Sequence, residues 1–235
     1  DRSFVTVTTA DHREDVARLV RKYDLISVPV VDKDNHAVGL VTVDDIMDVM
    51  VEENTKDLEI MSALTPSDDD YMDTSVLGLY KNRIPWLLLL MISATFTGLI
   101  ISHYEDVLSE TGEIGIMLTA CLPMLMATGG NSGSQSSTLI IRGIALGELT
   151  FSDIFHVMWR EMRVAVLCGI TLALVNVTRQ MGMYFLTGDI NPDSFKVTLI
   201  VSAAVFFTVV TAKTVGGMFP LLAKKLGMDP AVMAS

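Results

Sequence analysis

The stretch Thr128-Gly129-Gly130-Asn131-Ser132-Gly133-Ser134-Gln135-Ser136-Ser137-Thr138 decides how this chain reads. It lies inside 28 consecutive residues, 114–141, that carry no charge, where a helix needs about 20 to cross a bilayer core. Apolar runs flank it, Ile114 to Met126 before and Leu139 to Ile141 after. Within it, an Asn, a Gln, three glycines and several hydroxyls are unfavourable against lipid unless other helices or a wet passage satisfy them. Two readings follow. Small residues let membrane helices pack closely, and Ser or Thr at such interfaces are packing devices. The set Gly129, Gly130, Asn131, Gly133 and Gln135 instead offers flexible backbone and neutral oxygen donors at mid-depth, which suits the wall of a pathway for a hydrated hard cation.

Outward from that stretch the chain divides by charge. Residues 1–80 carry 7 Lys and Arg against 18 Asp and Glu, a net of −11, whereas residues 81–235 carry 10 against 10. The second part holds four apolar spans, about 84–102, 114–141, 164–186 and 197–223, so a small head precedes a polytopic all-α membrane domain. Lys81 and Arg83, then Arg142, Arg160 and Arg163, then Lys224 and Lys225 fall on alternate connections. The connections 103–113 and 187–194 have no Lys or Arg, which places the head of a multi-pass membrane protein in the cytosol. Acids of the outer loops, Glu105, Asp106, Glu110, Glu113, Asp189 and Asp193, are a solvated rim or a cation-concentrating mouth. Arg179 is expected to snorkel from near the outer end of its span, whereas Lys213 lies deeper and must face a partner or a cavity. Cys121 and Cys168 sit in spans and suggest neither a disulfide framework nor a metal motif.

The head reads as an α+β unit, β-α-β-β-α. Phe4 to Val7 and Ser27 to Val31 are strand-like, Asp32-Lys-Asp-Asn35 is turn chemistry, and Ala37 to Val43 is a third strand leading into a helix from about Asp44. Asp11 and Glu14 resemble a capping box ahead of a helix presenting Val16, Leu19, Val20 and Tyr23 on one face. In the last helix Asp45, Asp48, Glu52 and Glu59 share a face, opposite Ile46, Met50 and Met61. A carboxylate stripe is ordinarily a solvated face. Here only Lys33 and Lys56 offset it between Asp24 and Lys81, so divalent cations with oxygen preference, Mg²⁺ or Ca²⁺, would relieve the repulsion. The segment Thr65-Pro-Ser-Asp-Asp-Asp70 is a linker. The domains expected are thus 1–43, 44–62, 63–83 and 84–235.

The phrases Ile26-Ser-Val-Pro-Val-Val-Asp32 and Gly39-Leu-Val-Thr42-Val-Asp-Asp45 resemble a CBS repeat over roughly the first 50 residues. With Pro123-Met-Leu-Met-Ala-Thr-Gly-Gly-Asn-Ser-Gly-Ser-Gln135, Arg160-Glu-Met162 and Pro220-Leu-Leu-Ala-Lys-Lys-Leu-Gly-Met-Asp-Pro230, the whole chain resembles the MgtE family of prokaryotic magnesium channels. That resemblance implies a homodimer joined through its membrane spans and CBS repeats, transport of Mg²⁺ and closure by cytosolic Mg²⁺. Its regulatory ligands fall on Asp24, Asp45, Asp48, Glu53, Asp57 and Glu14, and the helix 44–62 corresponds to the family's plug helix. His12 and Lys56 stand where further acids are expected, and Lys213 where a neutral residue such as Asn is more usual. CBS pairs also imply a nucleotide such as ATP, with Thr42 and Asp45 against the ribose. The family's first repeat and fifth span, which bears its pore aspartate, have no counterpart here, and the chain is expected to belong to a longer protein with another helix opening at Asp229-Pro230. A CBS-regulated transporter coupled to Na⁺ or H⁺ is the alternative. His12, His36, His103 and His156 suggest no catalytic constellation, so an enzyme is not expected, and nothing in the acidic charge balance suits nucleic acid.

Overall fold

The computed structural model describes residues 5–67, 71–188, 190 and 192–234; Phe4, Asp68, Asp69, Asp70 and Asp189 lie outside them. Two units are described separately, one ending near residue 60 and one holding the long helices. The head runs β1 (Val7–Thr8), α1 (Arg13–Lys22), β2 (Ser27–Val31), β3 (Ala37–Thr42) and α2 (Val43–Met61). β1 pairs parallel with β2 at Val7↔Val30, and β2 pairs antiparallel with β3 from Ser27↔Thr42, with an irregularity at Val30/Val31. The hairpin turns on Asp32, whose Oδ1 accepts the N–H groups of Asp34 and His36 while Asn35 takes φ 61°.

A small core holds this unit together. Val7, Val16, Ala17, Val20, Val28 and Ile46 are buried, with Leu19, Val49 and Met50 packed around them. Each large apolar side chain removed from water in this way contributes about 1.5–3 kcal/mol. Tyr23 is 53% exposed, so the buried stripe of α1 is narrower than its apolar spacing predicts. The start of α1 also differs. His12 stands at the N-cap with no side-chain cap bond, because the Asp11 carboxylate accepts the N–H of Thr8 at 2.7 Å instead.

Among the described residues, four helices long and apolar enough to cross a membrane follow: α3 (Val76–Glu110), α4 (Glu113–Ala145), α5 (Ile154–Thr187) and α6 (Pro192–Lys225). α3 begins well before its apolar core because Ser75 caps it, its Oγ accepting the N–H of Gly78. It has no buried residue, and Leu87 to Met91 are all exposed. The turn into α4 needs Gly112, which sits at φ 60°. α6 packs on both α4 and α5. Its residues Val197, Val201, Val205, Val209, Lys213, Gly217 and Leu221 recur every fourth position and are all buried. The valines meet Ile114, Met117, Leu118, Cys121, Met124 and Leu125 of α4 and Cys168 of α5.

Nearer the basic end of α6 the helices close in. A Cβ on Gly216 would stand 2.5 Å from the Gly133 carbonyl oxygen, so the backbones of α4 and α6 touch, as small residues allow. Gly227 at φ 75° ends α6, with the Met228 N–H on the Ala223 carbonyl. Asp229 then accepts the Ala231 N–H at 2.9 Å and opens a short 3₁₀ turn, Pro230–Ala234.

Candidate functional site

The polar stretch of α4 is continuous helix, and its two sides differ. Ser132, Ser136 and Ser137 are buried and Gly129 and Gly133 half-buried, whereas Gly130, Asn131, Ser134, Gln135 and Thr138 are exposed. At 100° per residue these are two separate arcs of one helix. Of the five residues expected to line a pathway, Gly129 turns to Thr208 and Gly133 to Ala212 on α6. Gly130, Asn131 and Gln135 lie together on the exposed arc. The buried serines satisfy their hydroxyls across the packing: Ser136 donates to Glu161 Oε2 of α5 at 2.7 Å and Ser137 to the Met233 carbonyl at 2.9 Å. Ser134 reaches the Ala234 carbonyl at 3.3 Å, so the 3₁₀ turn rests on one edge of the polar arc.

Further polar groups join α5 to α6. Asn176 Nδ2 donates to Ser202 Oγ at 2.9 Å, both residues being buried. Arg179 does not snorkel: its Nη2 donates to Asn176 Oδ1 at 2.9 Å and to Met124 Sδ at 3.2 Å, turning the guanidinium toward α4. Gln180 donates to Cys121 Sγ. Sequence reasoning missed this network, although two amides four residues apart in an apolar span, Asn176 and Gln180, are a legible sign of a buried polar seam.

In the head, the first turn of α2 is fixed by a reciprocal pair. Asp45 Oδ2 accepts the Thr42 N–H at 2.9 Å and the Thr42 hydroxyl at 2.6 Å. That hydroxyl, and then the backbone N–H, hold the Asp45 carboxyl below the usual carboxylate range, so it is a fixed anion at neutral pH. Both residues proposed for a ribose therefore already serve as a helix start, with Asp45 Oδ1 left over. Glu53 is tied to Arg13 at 2.6 Å and to Lys56 at 3.2 Å, and Arg13 also bridges to Glu52 at 2.7 Å. Burial pushes the Glu53 carboxyl up, but Lys56 and Arg13 outweigh it and hold it below its ordinary range. Arg13 was not among the expected site residues; it adds positive charge to a stripe that sequence alone reads as offset only by Lys33 and Lys56.

Glu14, Asp24 and Asp48 are exposed, Asp57 half-buried, and Asp24 sits at φ 49° just beyond α1. Among the described residues these carboxylates do not converge on a common point within one chain. The trio whose ligand atoms lie within 4.8 Å of one another is Asp32, Asp34 and His36 in the exposed hairpin, where Asp32 is held by its own turn.

Comparison with known proteins agrees with this layout. Residues 122–235 match the MgtE family model, described as a divalent cation transporter, and residues 1–52 match the CBS domain. The chain is 36% identical over 232 residues to the magnesium transporter MgtE of Thermus thermophilus, covering 98% of this chain and 48% of that protein. It is 32% identical to the protein of the same name from Bacillus subtilis (99% and 49%) and 29% identical to that from Enterococcus faecalis (97% and 47%). The chain thus spans about half the length of the curated relatives it matches. Its polar membrane helix, its multi-pass helical domain and the CBS repeat ahead of it place this chain in the MgtE family.

Proposed function

We propose that the full protein is a homodimeric, passive pathway for Mg²⁺ that closes when Mg²⁺ accumulates on the head side. The observation that carries this reading is the exposed arc of Gly130, Asn131, Ser134, Gln135 and Thr138 on a helix otherwise suited to lipid. Lipid cannot satisfy an Asn and a Gln. A second copy placing the same arc opposite the first, around a twofold axis, would satisfy it and enclose a passage walled by amides and hydroxyls. Such groups bind the water shell of Mg²⁺ without stripping it, which suits an ion that gives up water reluctantly. The arrangement of basic residues at the ends of α3, α4, α5 and α6 supports a cytosolic head.

The head supplies the closing device. Carboxylates that do not converge in one chain become cation ligands when α2 and the CBS repeats of two chains are brought together, and each bound Mg²⁺ offsets like-charge repulsion only in that clustered state. Val38 and Leu40, two apolar residues on one face of edge strand β3, are 56% and 60% exposed and provide a surface for CBS pairing. Asp45 and Asp48 are the strongest ligand candidates, since Glu53 would first have to release Arg13 and Lys56. An adenine nucleotide at a CBS pair is compatible with Thr42 and Asp45 only through the atoms their mutual bonds leave open.

The double variant Asp45→Asn, Asp48→Asn tests the closing device. The amide that replaces the Asp45 carboxylate keeps an oxygen for the Thr42 N–H, so α2 still starts, while two charges are lost. The Mg²⁺ concentration that closes the pathway is expected to rise about tenfold or more in a vesicle flux assay, the scale of an ordinary coupling energy. Unchanged closure would remove α2 from the gating role.

A further inference from the structure

The buried stripe of α6 contains one residue that does not belong to an apolar seam. Lys213 follows Val209 and precedes Gly217 at four-residue spacing and is only 7% exposed. Its Nζ lies 3.3 Å from Gln135 Oε1 of α4, its one hydrogen bond among the described residues. The ammonium cannot escape by snorkelling: 11 residues, about 16 Å of helix rise, separate it from Lys224 at the basic end. Glu161 of α5 lies against α6 at Gly217 and is held by Ser136, and among the described residues no ion pair to Lys213 is formed. A cation is therefore fixed immediately behind the polar arc, attached to it through a side chain of that arc.

We propose that Lys213 is a built-in cation that determines selectivity by valence. Its action has two parts. It occupies Gln135 Oε1, so the Gln135 amide turns its NH₂ edge rather than its oxygen toward the pathway and withdraws one oxygen donor from passing cations. Its charge also opposes each ion crossing that level, and this energy scales with the charge of the ion, so a divalent ion meets twice the barrier of a monovalent one. Lys213 thus brakes divalent passage and narrows the advantage of Mg²⁺ over monovalent cations. The inference rests on the reading of the α4 arc as the pathway wall.

The test uses the full-length protein in liposomes, with Mg²⁺ and K⁺ influx measured on the same preparations of wild type, Lys213→Met and Lys213→Arg. Met has nearly the length of Lys and suits an apolar seam, so the fold is expected to hold, and a melting curve checks it. Removing the charge is expected to raise K⁺ influx about 3-fold and Mg²⁺ influx about 9-fold, the square following from doubled charge. Arg, which keeps the charge, is expected to return the Mg²⁺ to K⁺ ratio toward that of wild type. A wild type that conducts, with a ratio unchanged in Lys213→Met, overturns this inference and leaves the pathway standing. Equal loss of both ions in Met and Arg variants also overturns it, since a packing role alone would do that. No Mg²⁺ influx in wild type or variants overturns the pathway itself and this inference with it.

Discussion

Asn131→Leu is expected to lower Mg²⁺ influx about 10- to 100-fold while leaving the protein as stable as before. The side chain is exposed on α4 and makes no hydrogen bond among the described residues, so its removal empties no packed site. An apolar residue at this position is also easier to insert into a bilayer than an amide, which separates the effect on passage from any effect on folding. What is lost is a pair of polar groups able to bind the water shell of a divalent ion. Hydrogen bonds that involve a charged partner are worth about 1.5–3 kcal/mol, and each 1.4 kcal/mol is about tenfold in rate. Ion influx measured beside a thermal melt decides the matter: a variant that conducts normally would take Asn131 off the pathway wall.

Gly216→Val is expected to lower the melting temperature in detergent by about 2–12 °C. A Cβ here would stand 2.5 Å from the Gly133 oxygen and 3.0 Å from its Cα, so backbone rather than a flexible side chain must yield. Overpacking of this kind costs about 1–3 kcal/mol, and for a chain of this size each kcal/mol moves the midpoint about 2–4 °C. The effect extends beyond stability, since α6 pushed away from α4 also carries Lys213 away from Gln135. Gly98→Ala in α3 is the matched comparison, because nothing lies within 4 Å of its added Cβ. Equal melting of both variants would contradict the close α4–α6 contact.

The order of elements was legible because the signals are local. Ser27 to Val31 is an apolar run closed by turn residues, and it is β2 residue for residue. Four apolar stretches in the sequence mark the four long helices, yet hydropathy found only their lipid-level portions. α3 starts at Val76, on a Ser75 cap, although its apolar core begins at Ile84. What local signals could not supply was direction. A helical wheel separates Gly133 from Gln135, but nothing in the sequence says which arc meets α6 until Ala212 and Gly216 are in place. The cap of α1 failed for the same reason: Asp11 has the right chemistry, and a strand residue, Thr8, took its carboxylate first. In the head, the acidic stripe was visible and its opposing charge was not, because Arg13 lies 39 residues from Glu52 and meets it only once α1 and α2 are packed.

The most direct test of the central claim is passive Mg²⁺ flux through the full-length protein in liposomes, with a Mg²⁺ gradient, no Na⁺ or H⁺ gradient, and Mg²⁺ varied on the head side. Influx that runs down the Mg²⁺ gradient alone and shuts off as head-side Mg²⁺ rises is the predicted result. Influx that requires a Na⁺ or H⁺ gradient would contradict a passive pathway along α4 and make the protein a coupled transporter.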